Sequence, residues 1–287
     1  MPGRVSVLFL LTFAICAGAA RGADTDYQSV QFASTDEANT TIRGLVFHPD
    51  GADPFAAVVG VHGCNGLFEG APQPVEHYVF WARQLRDAGY LVLLIDSLGS
   101  RGIPTLCSAS APGAPRADRE MVGDARGARA YLVRRADVRA GAIALVGWSM
   151  GASTVLWTID GRAAPERADR FRAAIVFYPG GCTAVLRDSG WRPSSPLLLQ
   201  LGAADNYTPP QPCVELASRA RARGSDQVEV DLHAGAYHLF DHPSMPAHPF
   251  TRIVFRDGSS PMIGSDPAAR ALAIERVKTY LRTHLPK

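Results

Sequence analysis

Short, continuous runs of apolar residues alternate with segments of helical periodicity along most of the chain. The runs include FAAVVGV, LVLLID, AIALVGW, AAIVFY and LLLQLG. Strands that are apolar on both sides occur in parallel sheets that crossover helices cover on both faces. No repeat, low-complexity tract or linker interrupts the alternation. We therefore predict an α/β fold with one doubly wound, mostly parallel sheet and helices on both faces.

The first 22 residues have the three parts of a secretory signal peptide. Arg4 precedes an apolar run over residues 5–15, and small residues follow the run. This run is shorter than the roughly 20 residues that cross a bilayer. We therefore expect cleavage near residues 19–23, no membrane anchor after cleavage, and a secreted or periplasmic protein with one domain over residues 24–287.

Charge argues against some classes of partner. The full chain has a formal net charge of +2, and cleavage after Gly22 would remove Arg4 and Arg21 but no acid. The arginines of residues 116–139 are mixed with acids, as on a solvated helix face. We therefore expect neither nucleic acid nor an anionic membrane surface as a partner, and no feature of the sequence specifies an oligomeric state.

The cysteines predict disulfides rather than a metal site. Of five cysteines, Cys16 lies in the predicted signal peptide, which leaves Cys64, Cys107, Cys182 and Cys213. An even number in an exported chain favours two disulfides, with three possible connectivities, over four buried free thiols. The spacing matches no CxxC metal site and the chain has no zinc HExxH motif, so we expect no metal and no other cofactor.

Residues 147–151, GWSMG, satisfy the pattern G-x-S-x-G between a predicted strand and a predicted helix. Glycines are needed there because the sharp turn leaves no room for side chains, while the turn exposes the serine oxygen above the sheet. The alternative is a tight turn without chemistry. In this context the pattern predicts that Ser149 is a nucleophile, which needs a base and an acid that orients the base.

In this architecture the acid and then the histidine follow the serine along the chain. Asp205, in LGAADNYTPP, lies just beyond a predicted strand at the expected sheet end; its alternative role is to cap this loop or the following helix. His238 follows the last core strand in a glycine-containing turn and is the predicted base. His242 is the second choice, and His233 is expected to be a strand residue.

The negative charge that develops after serine attack needs two preorganised N–H donors. We predict the backbone N–H of Met150, directly after the nucleophile, and that of Cys64 in the loop VHGCNGLFEG. We expect His62 to hold this loop by local hydrogen bonds rather than to take part in the chemistry.

The walls of the pocket are predicted from position. The irregular segments 97–119 and 242–262 follow strand ends, where open α/β sheets bind ligands. Aromatic residues next to the proposed catalytic positions are either core residues or part of a substrate pocket. These residues are Trp148, Tyr178 and Tyr237.

Several motifs together resemble those of the dienelactone hydrolase family of the α/β-hydrolase superfamily. They are HGCNG, LIDSLGSRG, GWSMGA, FYPGGC, LGAADNYTPPQPC and AGAYHLF. The resemblance extends from about Phe55 to the C-terminal helix. It implies an α/β-hydrolase fold, and the order of Ser149, Asp205 and His238 is similar to that of the family's triad.

The sequence also departs from the family's founding lactone hydrolases. Those enzymes use a cysteine nucleophile activated by a glutamate of the oxyanion loop, where this chain has Ser149 and Gly63. In those enzymes an arginine just beyond the catalytic histidine helps to hold a substrate carboxylate, whereas this chain has Asp241 and His242 there. Arg101 is the candidate equivalent of another carboxylate-binding arginine.

The resemblance implies a serine-dependent esterase that cleaves a small carboxylic ester or lactone through an acyl-enzyme on Ser149. It also implies the pairings Cys64–Cys107 and Cys182–Cys213, each joining two pocket loops. One alternative is the same triad acting on peptides or polyesters, although the chain has no room for a propeller domain that screens peptides. The other is an inactive exported binding protein, against which all three triad positions carry competent residues.

Overall fold

The computed structural model describes residues 26–107, 111–163, 166, 169–188 and 190–285. The predicted signal peptide lies outside these residues. Within them, eight strands form one sheet in the order β1-β2-β4-β3-β5-β6-β7-β8. The strands are β1 Gln28–Ala33, β2 Thr41–Phe47, β3 Phe55–Val61, β4 Leu91–Asp96, β5 Val138–Trp148, β6 Ala173–Phe177, β7 Leu197–Gly202 and β8 Val228–His233.

The sheet is mostly parallel. β2 pairs antiparallel with both β1 and β4, while the pairs from β4 to β8 across the sheet are all parallel. β3 to β7 are almost entirely buried, which agrees with the apolar runs in their sequences. The predicted α/β fold is therefore confirmed.

Helices cover both faces of the sheet. They are α1 Glu76–Asp87, α2 Glu120–Val133, α3 Met150–Thr158, α4 Cys182–Leu186, α5 Gln211–Ala222 and α6 Pro267–His284. α1 and α6 pack in one hydrophobic core, and α2 to α5 pack in the other. In α1, Tyr78, Trp81, Ala82 and Leu85 form the buried stripe that a surface helix requires. In the described part of the chain, no helix has the length and apolar character needed to cross a membrane.

The topology determines where a site can form. From β3 the chain continues to β4 on one side, and after β4 it returns to β5 on the other side of β3. The loops after β3 and β5 therefore separate at a topological switch point, where open α/β sheets bind ligands. Ser149 follows β5 at this edge, while Asp205 and His238 follow β7 and β8.

The segment between β8 and α6 returns to the same edge. It contains a two-stranded pair, β9 His248–Pro249 with β10 Met262–Ile263. Ile263 also bridges to His238, and Gly264 N–H donates to His238 O over 2.8 Å. The predicted pocket wall 242–262 is therefore tied to the loop that carries the histidine.

Candidate active site

Ser149 stands in the conformation of a nucleophile elbow. Its φ is 51° and its ψ is −111°, in a region that L-residues rarely adopt and that costs about 1–3 kcal/mol. A Cβ atom at Gly147 would overlap the backbone of Gly151, and one at Gly151 would overlap the carbonyl oxygens of Val61 and His62. Both glycines of the G-x-S-x-G pattern are therefore required by close backbone approach.

His238 and Asp205 form a buried pair. His238 Nδ1 lies 2.8 Å from Asp205 Oδ2, and the two residues are only 2% and 4% exposed. The other carboxylate oxygen, Oδ1, accepts hydrogen bonds from the backbone N–H groups of Tyr207 (2.8 Å) and Thr208 (2.9 Å). Asp205 therefore both organises its own loop and holds the histidine, the two roles that the sequence left as alternatives.

Thr208 is a functional candidate that the sequence reasoning missed. Its Oγ1 lies 2.9 Å from Asp205 Oδ2, 2.9 Å from His238 Nδ1 and 3.0 Å from Tyr178 O. The rings of Tyr178 and Tyr207 lie 4.3 and 4.8 Å from the His238 ring, centroid to centroid. The imidazole is thus held at Nδ1 by two oxygens and flanked by two aromatic rings, which leaves Nε2 as the nitrogen available for proton transfer.

The other histidine candidates have different surroundings. His242 Nδ1 accepts hydrogen bonds from the N–H groups of Ser244 (3.2 Å) and Met245 (3.1 Å). Burial and the neighbouring His77 lower the pKa of His242 to about 4. His233 is the last residue of β8, as expected, and its Nε2 lies 2.7 Å from Gln200 Oε1.

Ser149 and His238 both line one cavity of about 110 Å³. Its walls are largely aromatic and aliphatic, with the ion pair between Glu69 and Arg252 (3.6 Å) among its polar residues. Its lining includes Ser149, His238, Cys64, Asn65, Tyr78 and Phe250.

The residues predicted to contact substrate have mixed positions. Trp148 lines the cavity, although the residue is almost fully buried. Tyr178 packs on His238 and is buried, while Tyr237 is half-buried; neither is among the lining residues.

Arg101 also lies outside the lining of this cavity. Its guanidinium donates to both carboxylate oxygens of Asp124 (2.8 and 2.9 Å), to Asp36 (2.8 Å) and to Ser97 O (2.8 Å). Asp124 is fully buried, so this arginine neutralises a buried acid. The structure therefore does not bring Arg101 to Ser149.

The loop after β3 passes directly against the nucleophile. A Cβ atom at Gly63 would lie 3.4 Å from Ser149 Cβ, so any side chain here would adjoin the serine. In the described part of the chain, no acceptor is bonded to the N–H of Cys64 or of Met150. These two groups are therefore free to bind a ligand oxygen.

His62 fixes this loop in the way the sequence predicts. Its Nε2 accepts from Ser97 N–H (3.1 Å), so its Nδ1 carries the proton and donates to Gly63 O over 2.7 Å. Burial lowers the pKa of His62 and keeps the ring neutral. The Gly63 carbonyl belongs to the same peptide group as the Cys64 N–H, so His62 orients that donor.

The structure contains both of the disulfides that the resemblance implies. Cys64–Cys107 has a Cα–Cα distance of 4.9 Å and joins the loop after β3 to the loop after β4. Cys182–Cys213 has a Cα–Cα distance of 5.1 Å and joins the starts of α4 and α5. Both sulfur-bearing residues of the first disulfide line the cavity beside Ser149.

A buried carboxylate lies behind the cavity. Asp241 Oδ2 accepts from His77 Nε2 (2.9 Å), Trp81 Nε1 (2.7 Å) and Trp148 Nε1 (3.0 Å), and its Oδ1 accepts from Tyr178 OH (2.6 Å). Burial would raise the pKa of Asp241, but His77 and these donors lower it below its ordinary value. The carboxylate supports the residues before the nucleophile and beside the histidine.

In the sequence, Asp241 is marked only as a departure from the founding relatives. Its partners are dispersed over the chain, at residues 77, 81, 148 and 178, and no local spacing reveals them. In the described residues, no group of three or more His, Cys, Asp or Glu side chains is arranged to hold a metal ion.

The sheet and the serine elbow define the class of the protein. A mostly parallel sheet carries a serine turn after β5, an acidic residue after β7 and a histidine after β8. This is the arrangement of an α/β-hydrolase.

The family follows from comparison with known proteins. The model of the dienelactone hydrolase family matches residues 42–285, and the chain belongs to this family. No curated protein matches the chain. Family membership makes the protein a hydrolase of the ester type.

Solved structures share the fold. A dienelactone hydrolase-like promiscuous phosphotriesterase from metagenomic libraries has 20% identity and a TM-score of 0.66, covering 91% of this chain and 99% of that one. Thermogutta terrifontis esterase 2 phosphorylated by paraoxon has 18% identity and a TM-score of 0.65, covering 94% and 99%. The same esterase with propionate bound has 18% identity and a TM-score of 0.60, covering 90% and 96%.

Proposed function

We propose that the protein is an exported serine hydrolase that cleaves a small carboxylic ester or lactone through an acyl-enzyme on Ser149. The observation that carries the proposal is the 2.8 Å contact between His238 Nδ1 and Asp205 Oδ2, with His238 and Ser149 on one cavity. A serine in a strained turn that shares a cavity with an oriented histidine is the arrangement that acyl transfer requires.

In the first step, Ser149 Oγ attacks the ester carbonyl carbon while His238 Nε2 takes the proton of the hydroxyl. Asp205 accepts a hydrogen bond from Nδ1–H and stabilises the imidazolium that forms. Because backbone N–H groups already bind Asp205 Oδ1, the carboxylate keeps its orientation while the charge on the histidine changes.

The carbonyl oxygen becomes negatively charged and binds the N–H groups of Met150 and Cys64. Met150 is the first residue of α3, and helix N-termini favour negative charge. His62 fixes the peptide that carries the Cys64 donor. Donors held in place before the reaction stabilise the transition state without reorganisation.

The tetrahedral intermediate collapses when His238 protonates the leaving alcohol, and the acyl group remains on Ser149. The histidine then activates a water molecule that attacks the acyl-enzyme and releases the carboxylic acid. Each proton moves between the substrate, water and the side chains of Ser149 and His238. The reaction therefore uses no cofactor.

The cavity favours a small substrate. Its volume of about 110 Å³ lies below the roughly 300–1,000 Å³ of most ligand pockets, which suits a short acyl chain. Small esters and lactones are therefore better candidates than peptides or polyesters.

Export is supported by two independent features. The first 22 residues have the composition of a signal peptide. The two disulfides are of the kind that persist in oxidising compartments. We place the mature protein outside the cytoplasm, secreted or in a periplasm.

The test is turnover of p-nitrophenyl acetate and butyrate by the purified mature protein. We expect Ser149→Ala to lower kcat by orders of magnitude, as nucleophile removal does in other triads. Ser29→Ala, an exposed serine on β1, is the matched control and should behave as wild type. Wild-type activity in Ser149→Ala, or a folded wild type that hydrolyses no ester, lactone or peptide, would contradict the proposal.

A further inference from the structure

Asn65 is a polar side chain in the wall of the catalytic cavity that the mechanism above does not use. It follows Cys64 in the loop after β3, is half-buried and lines the same cavity as Ser149 and His238. Much of the surrounding wall is apolar, including Trp148 and Leu239. An amide in such a wall is placed to contact whatever occupies the cavity.

Hydrogen bonds fix the orientation of the Asn65 amide. The N–H of Gly63 donates to Tyr78 OH over 2.8 Å, so the hydroxyl oxygen is already an acceptor. The hydroxyl proton is then donated to Asn65 Oδ1 over 2.5 Å. Burial raises the pKa of Tyr78 well above its ordinary value, so this proton is present throughout the neutral range.

The amide nitrogen is consequently left for a ligand. With Oδ1 bound to Tyr78, Nδ2 presents two N–H groups, and neither is bonded to an acceptor in the residues that the structure describes. Although Nδ2 has no partner in the described part of the protein, it is not fully buried, so it is open to solvent. Glu69, which also lines the cavity, forms an ion pair with Arg252 rather than a hydrogen bond with Asn65.

We propose that Asn65 is a specificity-determining residue that donates from Nδ2 to an oxygen atom close to the scissile carbonyl of the substrate. The preferred substrates would then be esters with an ether, hydroxyl or carbonyl oxygen next to the ester group. This inference rests on the proposed function, because it assigns substrate chemistry to the same cavity. An analogue in which a methylene group replaces the oxygen would cover the Asn65 N–H groups without offering them an acceptor, which disfavours its binding.

The experiment compares isosteric esters with and without that oxygen. In the acyl arm, p-nitrophenyl methoxyacetate is compared with p-nitrophenyl butyrate; in the alcohol arm, 2-methoxyethyl acetate is compared with butyl acetate. For each pair, the ratio of kcat/KM values is measured in wild type, Asn65→Leu and Asn65→Asp. Intrinsic reactivity cancels when the ratios of the variants are divided by that of the wild type.

We expect the ratio to fall by about fivefold in both variants, the effect of one hydrogen bond, in the arm whose oxygen Asn65 binds. Asn65→Leu removes the amide at similar size, while Asn65→Asp keeps the acceptor for Tyr78 OH and removes the donor. The melting temperature and the fraction of protein labelled at Ser149 by a fluorophosphonate correct for misfolded protein.

Two results would overturn the inference and are distinguishable. If wild type hydrolyses esters but both ratios stay within about twofold in the variants, the specificity role fails and the proposed function stands. If wild type hydrolyses none of the four esters, this inference fails, and the proposed function fails with it when wild type also hydrolyses no other ester, lactone or peptide.

Discussion

Thr208 shows how one residue completes a site that three residues define. Its hydroxyl lies within hydrogen-bond distance of the acid, of the histidine and of a backbone carbonyl. The hydroxyl has one proton, which it can donate to Asp205 Oδ2 or to Tyr178 O, while its oxygen can accept from His238 Nδ1–H. Asp205 and His238 therefore keep their direct contact. The backbone N–H of Thr208 separately binds Asp205 Oδ1. Thr208 therefore helps to hold His238 at Nδ1, which leaves Nε2 for proton transfer.

The prediction at this scale is that Thr208→Val lowers kcat/KM for p-nitrophenyl acetate by about five- to thirtyfold, because a side chain of the same shape loses one or two hydrogen bonds. Thr208→Ser keeps the hydroxyl and should stay within about threefold of wild type. Steady-state kinetics of the three proteins test this. Equal activity of Thr208→Val and wild type would show that Asp205 alone holds the imidazole.

At the scale of elements, the Cys64–Cys107 disulfide connects two loops that leave neighbouring strands β3 and β4. Leu106 N–H donates to Cys64 O over 2.7 Å beside it. The proposed oxyanion donor is therefore held from one side by His62 and from the other by the bridge. The second disulfide, Cys182–Cys213, lies outside the lining of the cavity and is a natural control.

We predict that Cys64→Ser/Cys107→Ser and Cys182→Ser/Cys213→Ser each lose about 2–4 kcal/mol of unfolding free energy, since their loops differ little in length. Only the Cys64→Ser/Cys107→Ser variant should also lower kcat, by about tenfold or more, because a mobile Cys64 N–H stabilises the oxyanion less well. Urea unfolding and turnover below the transition measure the two effects. Similar losses of kcat in both double variants would contradict a special role for the first bridge.

At the scale of the whole molecule, the sequence predicts what depends on order along the chain. Continuous apolar runs specify a sheet buried on both faces, and the alternation with helices requires parallel strands. That topology brings the residues after β5, β7 and β8 to one edge, so the approximate positions of Ser149, Asp205 and His238 follow from strand order.

Contacts between distant segments are not predictable in this way. Asp241 binds donors from α1, β5 and the end of β6, and none of these positions has a spacing that marks the others. Arg101 is directed to the buried Asp124 instead of the cavity because a buried carboxylate must be neutralised. The partners of Asp241 and Arg101 are determined by the packing of side chains from several elements.

The central claim is that Ser149 is the residue that carries the acyl group, and its most direct test is covalent modification. After incubation with an organophosphate such as paraoxon, peptide mapping by mass spectrometry should find one phosphoryl adduct, on Ser149, with stoichiometry equal to the fraction of ester hydrolysis lost. Labelling should vanish in Ser149→Ala and slow markedly in His238→Gln, which lacks the base. An adduct on another residue, or full inhibition without an adduct on Ser149, would contradict the account.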